Sequence, residues 1–262
     1  MSDKDQSIEQ LQKQLDVALK RIESLNAQIE ANKNSRMTIF TNLSHEIRNP
    51  LNGIMGFSEL LNTTEVSKEE LALYSTAITE SSQALLSIVN DVFEIARLEA
   101  NRLNSYPVEF DLNDIFYDLY DEYKLKAESK QLHFYLDNLI SEPFIIISDP
   151  DVLKRILKKL LDNAIKFTKT GWLKMKYTDE GVKIHFEVED SGIGIPEHLW
   201  SNLFDRFITE EVSKSRNIGG TGLDLSLCNG LVRLLCGKIW YESKGNEGSI
   251  FHFTIHNHMF QK

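Results

Sequence analysis

The sequence predicts a multidomain chain. An all-α helical-hairpin domain, forming a dimeric four-helix bundle with an N-terminal coiled coil, precedes an α/β (α+β) sandwich domain. Three observations carry this prediction. A strict heptad runs through residues 8–32. A second heptad-spaced segment follows a polar turn and a capping box at Ser67. Beyond Tyr106-Pro107 the pattern changes to short alternating strands mixed with amphipathic helices, the signature of a layered α-and-β domain.

In the first segment position a holds Ile8, Leu15, Ile22 and Ile29, and position d holds Leu11, Ala18, Leu25 and Asn32. β-Branched residues at most a positions, with Leu at two d positions, favour a parallel two-stranded coiled coil. The a row continues through Arg36, Leu43, Pro50 and Phe57. From Ile39 onward Ile47, Ile54 and Leu61 widen the apolar stripe, so the seam opens into a bundle. After Asn62-Thr63-Thr64-Glu65, Ser67 stands three residues before Glu70 and starts a second helix. Its heptads run through Leu71, Tyr74, Ile78, Ser81, Leu85, Ile88, Val92 and Ile95. Two helices per chain, dimerised, give four. The expected domains are a coiled-coil linker over 1–34, the helical domain over 35–104 and the sandwich over 105–262.

In the sandwich Val108–Phe110 reads as extended, and Asp111 caps a helix to about Ser129. Strands are expected at 131–138, 144–148, 171–178, 182–189, 238–243 and 249–256. Asp149-Pro150 is an N-cap followed by proline at the first helical position, and that helix runs to about Phe167. Pro196 opens a short helix to about Phe204, residues 205–221 form a loop, and a last helix spans 222–236.

Net charge is −10 and the pI about 5.2. A general nucleic-acid or anionic-membrane binder wants a basic face, so neither partner is expected. No apolar stretch approaches the ~20 residues of a membrane helix. The chain is therefore expected to be cytoplasmic, without membrane contact of its own. It begins inside a helical pattern, which fits a piece of a longer receptor. Cys228 and Cys236 fall in one predicted helix, roughly 12 Å apart in rise, and read as buried small hydrophobes.

The run Phe40–Pro50, F-T-N-L-S-H-E-I-R-N-P, holds the most chemistry. With a at Leu43, His45 falls at c, on the solvent side. A free imidazole there is a nucleophile near neutral pH, and Glu46 is placed to orient it and take its proton. Arg48 and Asn49 lie one turn on, and Pro50 leaves the Glu46 carbonyl without its helical donor. Elsewhere, Asp190 ends a strand before Ser191-Gly192-Ile193-Gly194-Ile195-Pro196. Its carboxylate suits an exocyclic amine such as adenine's, with Gly192 and Gly194 permitting close backbone approach. Gly219-Gly220-Thr221-Gly222-Leu223 opens a helix, where backbone amides suit phosphate. In Leu160–Thr168, Asn163 offers an oxygen for Mg²⁺, Lys166 a point charge for phosphate and Phe167 a flat face for a base.

Together these segments resemble the catalytic core of the sensor histidine kinases of two-component systems, over about 35–258. Phe40–Pro50 resembles the family's H-box, Leu160–Thr168 its N-box, Asp190–Pro196 its G1 box, Leu203–Phe207 its F-box and Gly219–Leu225 its G2 box, in family order. The resemblance implies a homodimeric helical hairpin joined to an ATP-binding sandwich of the Bergerat type, with ATP and Mg²⁺ as cofactors. It implies His45 as phosphoacceptor, Glu46 as its base and Asn49 as a residue that helps hydrolyse the phosphorylated receiver. It implies nucleotide contacts from Asn163, Lys166, Phe167, Asp190, Gly192, Gly194, Ile195, Phe207, Gly220, Thr221, Gly222 and Leu223, with Asn163 on the metal. Residues 205–221 would be a mobile lid carrying Lys214 and Arg216 near the γ-phosphate. The implied partner is the receiver domain of a separate response regulator.

Two positions depart from the family pattern. Lys159 stands where the N-box usually has a second Asn, and Asp224 where G2 usually ends in Gly. A carboxylate near phosphates is repulsive, while Lys159 would add positive charge there and help to hold phosphate. A phosphatase-biased or catalytically weak homologue, and a non-catalytic dimeric scaffold, therefore stand as alternatives. His133, His185 and His252 read as strand-face residues, and Trp172, Trp200 and Trp240 as packing.

Overall fold

A computed structural model of the chain describes residues 41, 43–62, 66–137, 142–204, 222–243 and 245–257. The expected coiled coil at 8–32 and the lid at 205–221 lie outside these residues. By its contacts the chain divides into two compact units, Met1–Asn49 and Pro50–Lys262. In the first, residues 43–49 are helical. In the second, residues 50–62 are helical (this helix is α1) and α2 spans Lys68–Glu99.

The capping box at the start of α2 forms as expected. Ser67 Oγ accepts from the Glu70 amide at 3.2 Å, and Glu70 Oε2 accepts from the Ser67 amide at 2.9 Å. The second unit's sandwich then follows in chain order. Strand β1 is Val108–Asp111, α3 Leu112–Ser129, β2 Leu132–Asp137, β3 Ile145–Ser148 and α4 Pro150–Phe167. Strand β4 is Gly171–Asp179, β5 Lys183–Asp190, α5 Asp224–Leu234, β6 Ile239–Ser243 and β7 Ser249–His256. The main sheet has the order β2-β4-β5-β7-β6, with β2 and β4 parallel and the other pairs antiparallel. Strands β1 and β3 form a separate antiparallel pair.

Asp111 and Asp149 cap α3 and α4 through side-chain bonds to the second helical amides, and Asp149 also reaches the third. Alternation decides the sheet's faces. Leu173, Met175 and Tyr177 of β4, Ile184, Phe186 and Val188 of β5, and Phe253 and Ile255 of β7 are buried in one core with the apolar stripes of α3, α4 and α5. Lys174, Lys176, His185, Glu187 and Glu189 point the other way. Register places Lys174 opposite Glu189 and Lys176 opposite Glu187, and both pairs close as salt bridges at 2.6 and 2.9 Å.

Three expectations need correction. The helix expected after Pro196 is only a 3-10 turn, Glu197–Leu199, followed by turns to Phe204. Bonds of i to i+3 spacing hold it, and the Trp200 indole donates back to the Ile195 carbonyl at 3.0 Å. The last helix is shorter than 222–236, because Gly222 and Cys236 both have left-handed backbones, φ +62° and +57°. Cys236 is consequently outside the helix and exposed, whereas Cys228 is buried as expected. The Cys236 amide bonds the Arg233 carbonyl and the Gly237 amide the Val232 carbonyl, which is a Schellman ending.

Candidate nucleotide site and phosphoacceptor helix

In the first unit His45 is exposed on its helix and Glu46, the next residue, is partly buried. The side of the helix the heptad assigned to water is the side on which the imidazole lies. Asn49 is exposed one turn later.

In the second unit the buried carboxylate of Asp190 ends β5 at 5% exposure. One oxygen accepts from the Gly192 amide at 2.8 Å and the other from the Ser249 hydroxyl at 2.6 Å. Burial pushes its pKa above the usual carboxylate range, against the opposing pull of those two donors. Ser249 was not expected from sequence. It lies 59 residues away and meets Asp190 only through the β5–β7 register.

The loop after Asp190 lies against the end of α4. The Ile193 amide donates to the Phe167 carbonyl at 3.3 Å, and a Cβ at Gly192 would stand 2.5 Å from that same oxygen. Gly194 has φ +68°, and a Cβ there would strike the Gly245 carbonyl. The Ile195 amide donates to Ser243 Oγ at 2.8 Å, which ties the loop to the end of β6. The glycines are thus required by backbone meeting backbone within this loop. Asn163 is about nine-tenths buried on α4, and Lys166 lays its ammonium 5.1 Å over the Phe167 ring. Gly222 precedes α5, while Leu223 is fully buried and acts as a core anchor for that helix. Phe207, Lys214, Arg216, Gly220 and Thr221 lie outside the described residues.

These residues fit an adenine nucleotide. A carboxylate has lone pairs beyond the two that Gly192 and Ser249 occupy, enough to accept from an exocyclic amine. Mg²⁺ is usually held by one or two protein oxygens plus phosphates and water, which the single Asn163 oxygen suits.

Lys159 and Asp224 turn out to be partners. Lys159 Nζ donates to both oxygens of Asp91 on α2, at 2.8 and 2.6 Å, and to Asp224 Oδ1 at 2.8 Å. Asp91 is 7% exposed. Burial, helped by the nearby Asp224 carboxylate, raises its pKa against the pull of Lys159, and the net shift is upward. Burial lowers Lys159, but the two carboxylates outweigh it and the net shift is upward. One turn earlier on α4, Arg155 pairs with Glu94 of α2. The cation expected to help hold phosphate is instead committed to α2 and α5, and the carboxylate expected to repel phosphate is neutralised.

Residues 35–101 match the His Kinase A (phospho-acceptor) domain family, and residues 148–259 the histidine kinase-, DNA gyrase B- and HSP90-like ATPase family. The chain belongs to the sensor histidine kinases. Sensor histidine kinase GacS of Pseudomonas protegens is 33% identical over 259 residues, 96% of this chain. This chain spans only 28% of the length of that relative. Among solved structures, full-length ShkA in complex with AMPPNP aligns with a TM-score of 0.62 at 27% identity, covering 82% of this chain and 44% of that one. Histidine kinase ThkA in complex with the response regulator TrrA aligns at 0.65 and 27%, covering 85% and 62%. In this kinase chain no described helix is long and apolar enough to cross a membrane.

Proposed function

We propose that the chain is the catalytic core of an ATP-dependent protein-histidine kinase that autophosphorylates on His45. The observation that carries this reading is the exposed His45–Glu46 pair on a helix in the same chain as the buried, doubly hydrogen-bonded Asp190. An imidazole nitrogen of His45 forms the N–P bond as the bond from the γ-phosphorus to its bridging oxygen breaks and ADP departs. Glu46 accepts the imidazole proton. Asp190 fixes the adenine end, and the amides around Gly222 and the basic Lys166 face the phosphates. Mg²⁺, held by Asn163, would neutralise charge between the phosphates. Catalysis of this kind is mostly positioning and electrostatics.

The phosphoryl group then passes to an aspartate of a response-regulator receiver domain, and Asn49 supports hydrolysis of the phosphorylated regulator. ThkA, crystallised with a response regulator, supports this class of partner. We further assign the coiled-coil linker to 1–34, the dimerising phosphoacceptor domain to 35–104 and the ATP-binding domain to 105–262. Incubation with γ-labelled ATP and Mg²⁺ tests the reading. Label on the wild-type chain and none on His45→Ala is expected; an unlabelled wild type, or label retained in His45→Ala, overturns it.

The phosphatase-biased alternative rested on Lys159 and Asp224 disturbing the phosphates. Their mutual salt bridge favours a working kinase instead.

A further inference from the structure

The outer face of the main sheet, opposite the helices, carries an aromatic and carboxylate cluster that nucleotide chemistry does not use. Glu187 of β5 stands directly opposite His252 of β7, which stands opposite Trp240 of β6. His185, two residues along β5, shares that face. The three rings stack on one another, with centroids 5.2 Å apart for each Trp240–His pair and 5.3 Å for the two imidazoles.

The nitrogens are sorted by their neighbours. His185 Nδ1 has Glu180 Oε1 at 3.5 Å, and His252 Nε2 has Glu242 Oε1 at 3.8 Å. The inner nitrogens, His185 Nε2 and His252 Nδ1, face each other at 3.1 Å. A neutral imidazole carries one proton, and an ionised carboxylate only accepts. When both outer nitrogens carry the proton, toward the carboxylates beside them, the two inner nitrogens present their lone pairs to a shared cation. Without a cation, one imidazole donates to the other across the same 3.1 Å, so the pair is held at this spacing in either state. Carboxylates behind the outer nitrogens are the usual companions of metal-bound histidines, since they fix the tautomer and raise ligand basicity. His252 is 7% exposed, and its Nε2 has no hydrogen-bond partner among the described residues.

Glu187 completes the set, with Oε2 at 4.0 Å from His252 Nδ1. The three ligand atoms lie within 4.8 Å of one another. A tetrahedral ion with bonds near 2.0–2.1 Å needs its nitrogens about 3.3 Å apart, so the imidazoles stand close to ligand spacing without backbone movement. We propose that His185, Glu187 and His252 form a binding site for a borderline divalent transition-metal ion of the zinc class, with a fourth position open to solvent. Two imidazoles and one carboxylate suit such an ion better than Mg²⁺ or Ca²⁺, which prefer all-oxygen sets. Lys176 holds the other oxygen of Glu187 at 2.9 Å and competes with the ion for that carboxylate.

Calorimetric titration of the chelator-treated chain with Zn²⁺ is the test, followed by thermal melts with and without the ion. The expected result is one equivalent bound and a raised Tm in wild type. Both are lost in His185→Gln and in His252→Gln, and both persist in His133→Gln, on β2 of the same sheet. Glu242→Gln is expected to weaken affinity by about ten- to a hundredfold. Lys176→Met, which leaves both imidazoles in place, is expected to tighten it. A wild-type chain that binds no Zn²⁺, or binding indifferent to His185 and His252, overturns the proposal. An imidazole pair that titrates with protons yet takes up no metal does so as well.

Discussion

Asp190 shows what one buried carboxylate demands of its neighbours. In its proposed role it must be ionised to accept from an adenine amine, yet burial opposes ionisation, and the Gly192 amide and Ser249 hydroxyl offset part of that effect. Its folded pKa is raised, so nucleotide affinity is expected to fall as pH drops through a value above the ordinary 3.8, with an inflection higher than a free aspartate would give. Ser249→Ala removes a group that lowers the pKa and moves that inflection further up; ATP binding measured by calorimetry across pH 4–7 reads both. Asp190→Asn presents an amide whose donors oppose the adenine amine and is expected to cost about 2 kcal/mol or more of binding. At this scale the sequence was legible where function follows a local rule. The c position told which way His45 points, and a strand-end Asp before a glycine turn marked the buried carboxylate that we propose binds the adenine end. Ser249 was not legible, since its role exists only through pairing with β5.

At the scale of elements the helix starts were legible and the ends less so. Caps such as Asp111, Asp149 and Ser67 act within three residues, so sequence shows them. The end of α5 depends on Cys236 adopting a left-handed backbone that glycine would take without strain. Cys236→Gly is expected to raise stability by about 1 kcal/mol in denaturant unfolding, because the exposed thiol side chain forfeits little packing. The α2–α4 contact was invisible for a different reason. Lys159 and Asp91 are 68 positions apart, and each alone reads as a solvated charge. Lys159→Asn leaves Asp91 buried without its cation, which is expected to cost about 3 kcal/mol. Asp91→Asn added to that variant should recover much of the loss, giving a large coupling in a double-mutant cycle. Asp224→Gly is expected to be milder, since Lys159 keeps Asp91. Lys159 has a raised folded pKa, so its stabilisation is fully present below 10.5 and is lost only as pH rises through the shifted value.

Across the whole molecule, one helical face has more apolar surface than a single chain covers. Leu86, Val89 and Phe93 are spaced along one stripe of α2 and are 60%, 37% and 63% exposed, while Leu51 and Met55 form a matching exposed pair on α1. The heptads read from the sequence run through Ile54 and Leu61 on α1 and Leu85, Ile88 and Val92 on α2 and did not single these residues out; in the proposed dimer a second copy of the hairpin would cover them in a four-helix bundle. Placing charge in that stripe should separate dimerisation from nucleotide binding, because the Asp190 loop and α4 make no use of it. The double variant Leu86→Glu/Phe93→Glu is expected to sediment near the 30.1 kDa of one chain, where wild type sediments near twice that. Its affinity for ATP should stay within a factor of about two of wild type, while labelling of His45 falls steeply. A variant that remains dimeric would move the subunit contact elsewhere. A monomer that labels His45 at the wild-type rate would show that each chain supplies everything its own histidine needs.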